Sequence, residues 1–255
     1  MIFILGGNGF VGSGFVRYLD VTGIPFTVID RTNYDRLKGA ECDIFVNANG
    51  NSKKFLSLDD PKLDFQASVV SVRNTLVDFK FKKYIFLSTS DVYPDCSNSY
   101  FAREQAIINV SEQSHYGFHK YIAELCVQHA AKDWLIIRQG GFVGKELKKN
   151  AVFDVLNGHK VWVHRDSRFQ FINTEQSARL VMELIKLNIS NEIFNLTGTG
   201  TISVTEIMRM AGRTVASNVT AKPVYYEIST DKVAQYVTLP NTRETVKEFL
   251  DGGID

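Results

Sequence analysis

The chain has 255 residues, 44% of them hydrophobic, and a formal net charge of +1. That is enough for one large domain, or a core domain with a small annex, of ordinary globular composition. Near-neutral charge offers nothing to nucleic acid or to an anionic membrane surface, and no apolar run approaches spanning length.

The first element is the most informative. Ile2 to Leu5 read as a short buried strand that runs into Gly6, Gly9 and Gly12. A helix then opens with Val11, Phe15 and Leu19 on one side. Strand, glycine turn and helix in this order form a dinucleotide cradle. Gly6 permits the turn, Gly9 leaves room for a pyrophosphate against backbone N–H groups, and Gly12 lets the helix pack closely on the sheet. The helix N-terminus adds partial positive charge and free donors. Gly6 also interrupts the first apolar run, so no signal peptide is expected.

Pro25–Asp30 read as a second strand and Cys42–Gly50 as a third. A long helix follows Pro61, with Phe65, Val69, Val72 and Leu76 on its inner face. Tyr84–Ser90 form a fourth strand with a polar end. A helix from about Tyr116 to Ala131 leads to a strand at Trp134–Arg138. Alternation of strands and helices argues for a parallel sheet. Beyond about Gly144 the pattern loosens. A helix is expected at Ala151–Leu156, with short strands at Lys160–Val163 and Phe169–Ile172. A helix from Thr174 to about Leu187 turns Val181, Leu184 and Ile185 inward; a strand at Ile193–Leu196 and a last helix near Thr242–Leu250 follow. The fold class is therefore α/β, a doubly wound parallel sheet of the Rossmann type with a small interleaved C-terminal α/β region. Residues 1–145, with 173–197 returning to them, form the dinucleotide-binding domain, and 146–172 with 198–255 the substrate region.

Asp30 ends the second strand. A carboxylate there accepts hydrogen bonds from an adenine ribose and repels a 2′-phosphate, which favours NAD. The adjacent Arg31 can pair with such a phosphate and keeps NADP open. Tyr116 and Lys120, four apart, lie on one helix face. An ammonium beside a phenol favours the phenolate, and a tyrosine so tuned can exchange a proton with a sugar hydroxyl while hydride moves to nicotinamide. Ser88-Thr89-Ser90-Asp91 stand at the carboxyl end of the fourth strand, the edge where open α/β sheets bind ligands. His115 and His119, one turn apart, lack a third partner of fitting spacing, so no metal is expected. Cys42, Cys96 and Cys126 show no CxxC spacing, which indicates neither a zinc site nor a disulfide framework and fits a reducing cytoplasm. Trp134 and Phe65, Phe79, Phe86 and Phe142 read as core.

With these motifs the chain resembles the extended short-chain dehydrogenase/reductase family, in its NAD-dependent nucleotide-sugar epimerase/dehydratase branch. The stretches that carry the likeness are GGNGFVG, VIDR, FVNANG, YIFLSTSDVYP, YGFHKYIAE and IIRQGGFVG, with weaker echoes in RFQFINTEQSA and IFNLTGTGTISVTEI. The resemblance implies that Thr89, Tyr116 and Lys120 form a catalytic triad. It also implies that Gly6, Gly9, Phe10, Val11, Gly12, Asp30 and Arg31 contact the dinucleotide, that Asn47, Ala48 and Asn49 line its path, and that Lys120 holds the nicotinamide ribose. Ser90, Gly141 and Arg168 fall at substrate-contact positions. A homodimer through two helices, one carrying Tyr116, is implied as well.

The departures matter too. Arg31 to Glu41 is too short for the extra strand and helix that relatives carry, so the adenine pocket must be abbreviated. Gly141 replaces an expected Asn, Pro94 an expected Gly, and Arg168 sits one position early, with Phe169 in the usual place. Asp91 stands where one dehydratase group has a Glu and is the catalytic candidate for a base that takes the C5 proton; its shorter arm argues against a 4,6-dehydratase. The expected activity is an epimerase working through a transient 4-keto sugar. A NAD(P)H-dependent 4-keto-sugar reductase is the first alternative and a sugar 4,6-dehydratase the next, and a non-catalytic NAD(P)-sensing protein is the reading from a different class.

Overall fold

Alternate side chains of a strand point to opposite faces. In β1 (Ile2–Leu5) this sends Ile2 and Ile4 into one apolar core and Phe3 and Leu5 into another. A parallel strand covered on both sides has no wet face, which is why the run reads as unbroken apolar sequence. The computed structural model describes residues 1–51 and 54–252. Around β1 it arranges β2 (Phe26–Ile29), β3 (Glu41–Asn47), β4 (Lys80–Thr89), β5 (Trp134–Gln139) and β9 (Glu192–Leu196) as one parallel sheet, ordered β2-β1-β3-β4-β5-β9. The strand order reverses between β1 and β3, the point at which doubly wound sheets open a ligand crevice.

Helices α1 (Phe10–Thr22) and α8 (Thr174–Lys186) cover one face. Phe15 and Leu19 of α1 are wholly buried there, each worth about 2–3 kcal/mol by burial. Val181, Leu184 and Ile185 of α8 meet them, as expected. The opposite face is covered by α5 (Ser71–Asp78) and α6 (His115–Ala130). Between β2 and β3 there is room only for the four-residue α2 (Tyr34–Leu37).

The helix expected after Pro61 is built in pieces. After the short α3 (Leu56–Asp59), α4 (Pro61–Phe65) passes through a π-helical segment, Gln66–Val70, into α5. The wider turn changes the inward face. Asp64, not Phe65, is buried at its start, five residues before the buried Val69. Phe65 is 37% exposed and touches the His119 ring edge-on at 5.4 Å. Phe79, Phe86 and Trp134 are buried and Phe142 half-buried.

A third core lies under β6 (Gly141–Val143), α7 (Ala151–Leu156), β8 (Phe171–Asn173), α9 (Val204–Met210) and α10 (Thr242–Gly252). Two boundaries differ from expectation. Lys160–Val163 make a single bridge, Val161 to Ser217, instead of a strand. Phe169–Ile172 divide into β7 (Arg168–Phe169), which pairs antiparallel with β10 (Ile202–Ser203), and β8, which pairs with β6. Gln170 stands at the break: its side chain bonds to the backbone N and O of Ile228, and its carbonyl accepts from Gly141 N at 3.1 Å. Among the described residues no helix is long and apolar enough to cross a membrane.

Candidate active site

The glycine turn is built for close approach. Gly6 has φ +80°, its carbonyl accepts from Gly9 N at 2.9 Å, and a Cβ on Gly12 would lie 2.1 Å from that same carbonyl. Gly9 caps α1 with no side chain over the helix end, so the first N–H groups, those of Phe10 and Val11 among them, face outward. The backbone of Ala48 and Asn49 lies against Gly6. Phe10 meets Phe142 edge to face and Val11 packs on the first core. At the end of β2 the Asp30 carboxylate accepts from Thr32 N, Thr32 Oγ1 and Asn8 Nδ2. These bonds, chiefly from Thr32, hold it below the usual carboxylate range, so it is charged at neutral pH. Arg31 beside it is exposed. A cradle that a Cβ would fill, a bare helix N-terminus and an anionic strand end together fit a dinucleotide.

Asn47 departs from its expected role. Its side chain turns into the core, where Nδ2 donates to the Tyr84 hydroxyl at 2.8 Å and Oδ1 accepts from Asn49 N at 3.0 Å. It braces the bend that presents Ala48 and Asn49. Asn49 is tied in turn to Ser71 Oγ at 2.7 Å.

Across the strand ends, Thr89 Oγ1 donates to Asp91 Oδ2 at 2.9 Å and accepts from Asp91 N. Asp91 is clasped by two residues that no sequence motif announced. Lys54 Nζ donates to Oδ1 at 2.7 Å, and the Tyr226 hydroxyl donates to the same oxygen at 3.2 Å. Tyr116 stands beside this cluster, at the first turn of α6. That helix starts at Ser114, whose hydroxyl accepts from Gly117 N at 3.0 Å. Gly117 lies flat on the end of β4, where a Cβ would meet the Asp91 carbonyl at 2.0 Å.

The coupling of Tyr116 to Lys120 differs from expectation. Lys120 is buried, donates to the Leu87 carbonyl at 2.9 Å and lies 4.2 Å over the Phe86 ring. Burial brings its pKa down to about 8, against the pull of Glu124 and Asp64. Burial pushes the Tyr116 phenol upward, as do the charges of Asp91 and Asp64. The ammonium is committed to the strand, so the phenol is not acidified by it in this arrangement. Lys120 also approaches the loop after β3, its Nζ 3.7 Å from where a Cβ of Gly50 would stand.

Beneath the site lies a buried ionic network. Arg138 and Glu124 pair through two guanidinium nitrogens, at 2.7 Å for the closest contact. Ser88 Oγ donates to Glu124, and Arg138 Nη1 donates to the Tyr93 hydroxyl, which donates to Asn195 Oδ1. The network ties β4, β5, β9 and α6 together one residue away from Thr89. Next to it, His119 Nδ1 lies 2.6 Å from Asp64 Oδ2, while His115 is exposed.

The substrate-contact positions divide. Ser90 is buried behind Asp91, its carbonyl accepting from Tyr93 N and Cys96 Sγ. Gly141 faces the neighbouring strand: a Cβ there would stand 2.7 Å from the Gln170 carbonyl, so the Asn of relatives has no room. The Arg168 guanidinium faces Glu206 at 3.8 Å, while the next residue, Phe169, stacks on Tyr226 at 5.9 Å. Strand alternation puts Phe169 on the site's side and Arg168 away from it. A cavity of about 330 Å³ opens beside Asp91 and Tyr226, lined also by Cys96, Ser114 and Tyr225.

Residues 2–196 match the family profile described as the NAD dependent epimerase/dehydratase family. No curated protein matches the chain significantly. Among solved structures it is similar to a UDP-galactose 4-epimerase (TM-score 0.81, 18% identity, 98% of this chain and 97% of that one). It is also similar to MoeE5, solved with UDP-glucose and NAD (TM-score 0.84, 14% identity, 98% and 97%). A dTDP-4-dehydrorhamnose reductase from Bacillus anthracis str. Ames, solved with NADP, superposes with TM-score 0.79 at 16% identity over 99% and 98%. At these identities the likeness is one of fold.

Proposed function

Because the chain belongs to the NAD dependent epimerase/dehydratase family, we propose that it is a nucleotide-sugar epimerase that works through a transient 4-keto sugar with NAD as cofactor. The observation that carries this reading is the meeting of Thr89, Asp91 and Tyr116 at the carboxyl ends of the strands, beside a glycine cradle and an anionic Asp30. Gly6, Gly9, Gly12 and the Phe10 and Val11 backbone would hold the pyrophosphate, Asp30 the adenine ribose, and Lys120 the nicotinamide ribose. Bound NAD supplies a hydride acceptor that returns the hydride to the same carbon. The Tyr116 oxygen takes the proton from the sugar C4 oxygen as its own phenol proton passes to the neutral form of Lys120, the reverse transfers return both, and Thr89 orients the C4 oxygen. Lys120, with a pKa of about 8, exchanges protons near neutrality and acts as a relay one turn below the phenol.

Asp91 supports the choice against dehydration. A base for the C5 proton needs a free oxygen lone pair, and here both carboxylate oxygens are engaged, by Thr89, Tyr226 and Lys54. A 4-keto-sugar reductase is the second reading. The four-residue α2 leaves little to enclose adenine, and a reductase must exchange its cofactor each turnover. NAD over NADP rests on the charged Asp30.

We also infer a homodimer and a cytoplasmic setting. Leu63, Phe65, Phe118 and Leu125, on α4 and α6, are 37–53% exposed, an apolar surface that a second copy would cover. The three cysteines are free. Residues 1–145 with 173–197 make up the dinucleotide domain in this reading, and 146–172 with the chain from 198 onward the substrate region.

The test is a panel of UDP-, dTDP-, GDP- and CDP-sugars with NAD and NADPH, products read by NMR, on wild type and Tyr116→Phe. The variant should still bind cofactor while turnover falls about 10²- to 10⁴-fold. Equal turnover by both proteins would remove Tyr116 from the chemistry and the reading with it.

A further inference from the structure

Lys54 is an exposed ammonium beside the Tyr116 ring. Its Nζ lies 6.0 Å from the centroid of the Tyr116 ring and 5.2 Å from that of Tyr226. It bridges both Asp91 oxygens, at 2.7 and 2.5 Å. A carboxylate and two aromatic faces thus fix the head group, while 58% of the side chain stays exposed. Its position draws together three segments far apart in sequence: the loop after β3, the turn that follows β4 and the irregular stretch around Tyr226. The other cations of this region are spent elsewhere. Lys120 is buried against Leu87, and Arg168 faces Glu206.

An ammonium carries three donors. Asp91 takes at most two, so at least one remains, next to the phenol that must reach the reacting C4 hydroxyl. What that donor meets is decided by the geometry of a hexose ring. The anomeric oxygen, which bears the diphosphate, lies on C1, across the ring from C4. The substituents on C3 and C5 flank C4. Among common ring substituents the one that matches a fixed cation there is the C6 carboxylate of a uronic acid, carried on C5.

We propose that Lys54 binds a carboxylate on the reacting sugar, and that the substrate is an acidic nucleotide sugar of the hexuronate class. The inference rests on the reading of Tyr116 as the group that serves C4. Asp91 has a defined part in it: it anchors the ammonium when no sugar is bound and shares it with the sugar carboxylate when one is. A charge-assisted hydrogen bond of this kind corresponds to about 10- to 150-fold in binding.

The experiment compares kcat/KM for matched pairs, UDP-glucuronic acid with UDP-glucose and dTDP-glucuronic acid with dTDP-glucose, in wild type, Lys54→Met and Lys54→Arg. The readout is the ratio of acid to neutral sugar within each protein, from which any general folding defect cancels. Wild type should favour the acid at least 10-fold. Lys54→Met should lower the ratio by about 10- to 150-fold, chiefly through KM, and Lys54→Arg should restore most of it. A ratio near one in wild type, or a ratio unmoved by Lys54→Met, overturns the proposal. Displacement by UDP alone checks the phosphate: if Lys54→Met weakens UDP as much as UDP-glucuronic acid, the cation holds the diphosphate and the proposal fails. Turnover of neutral sugars only sinks this inference and leaves the Tyr116 reading standing. Turnover of no sugar sinks both.

Discussion

Replacing Gly117 by Ala sets two physical effects against each other. By propensity the change should help, since Ala is favoured over Gly in a helix by up to about 1 kcal/mol. By packing it should harm. The new methyl would stand 2.0 Å from the Asp91 carbonyl and 3.2 Å from Ser114 Oγ, both parts of the rigid junction between β4 and α6. Ordinary contact needs a separation of about 3.3 Å or more, so α6 must move by roughly 1 Å relative to the strand end. Overpacking of this kind costs about 1–3 kcal/mol, which outweighs the propensity gain. Tyr116 precedes Gly117, so the same shift moves the phenol away from Thr89, and a misplacement of about 1 Å can lower turnover about 10²-fold. Urea unfolding and kcat measured together give the answer. The expected result is a lower midpoint with unchanged slope and a kcat about 100-fold down at intact cofactor binding. A variant more stable than wild type with normal kcat would show that α6 is free to adjust, and would refute the claim that this glycine registers the catalytic helix.

Three further expectations follow from the same geometry. Glu124→Gln leaves the Arg138 guanidinium, 2% exposed, without its counter-charge, and should cost about 3–5 kcal/mol in denaturant unfolding; a loss under 1 kcal/mol would mean that water or Tyr93 compensates. Lys120 titrates at about 8 in the folded chain against 10.5 when unfolded, so the unfolded state binds the extra proton between those values. Its burial therefore destabilises the fold fully below about pH 8, and stability is regained as pH rises toward 10.5, by at most about 3 kcal/mol. Lys120→Met should be the more stable protein at pH 7, with the gap closing by pH 10.5; a pH-independent difference would remove the linkage. Asp30→Asn takes away the charge that opposes a 2′-phosphate and should shift the NADP-to-NAD affinity ratio upward about 10-fold in fluorescence titration, while an unchanged ratio would move cofactor choice elsewhere, to Arg31 first.

The central sheet was legible because buried parallel strands announce themselves as apolar runs, and the cradle because its glycines sit at a strand-to-helix junction. Thr89, Asp91 and Tyr116 were legible for the same reason: Thr89 ends β4, Asp91 stands in the turn just after it and Tyr116 in the first turn of α6, and the sheet edge brings them together. Other features lay outside local sequence. Phe65 looked like a core residue by spacing, but one wide turn gave its place to Asp64, which is held by His119 and Asn51. Asn47 looked like a cofactor contact because it sits in the right motif, yet its amide is spent on Tyr84. Lys54 and Tyr226 carried no pattern at all. One belongs to a polar loop and the other to an irregular stretch, and only the closure of the chain over Asp91 makes them part of a site.

The wide turn at Gln66–Val70 has a further bearing on how this chain can change. Such a segment holds one residue more than a regular helix of the same rise, so it acts as a stored insertion. Deleting one residue from it would give an unbroken helix, but would swing everything on one side by about 100°. Either Asp64 would leave His119 or Val72 and Thr75 would leave the sheet. The two halves of that helix answer to different neighbours, and the surplus residue is what lets a single rod satisfy both.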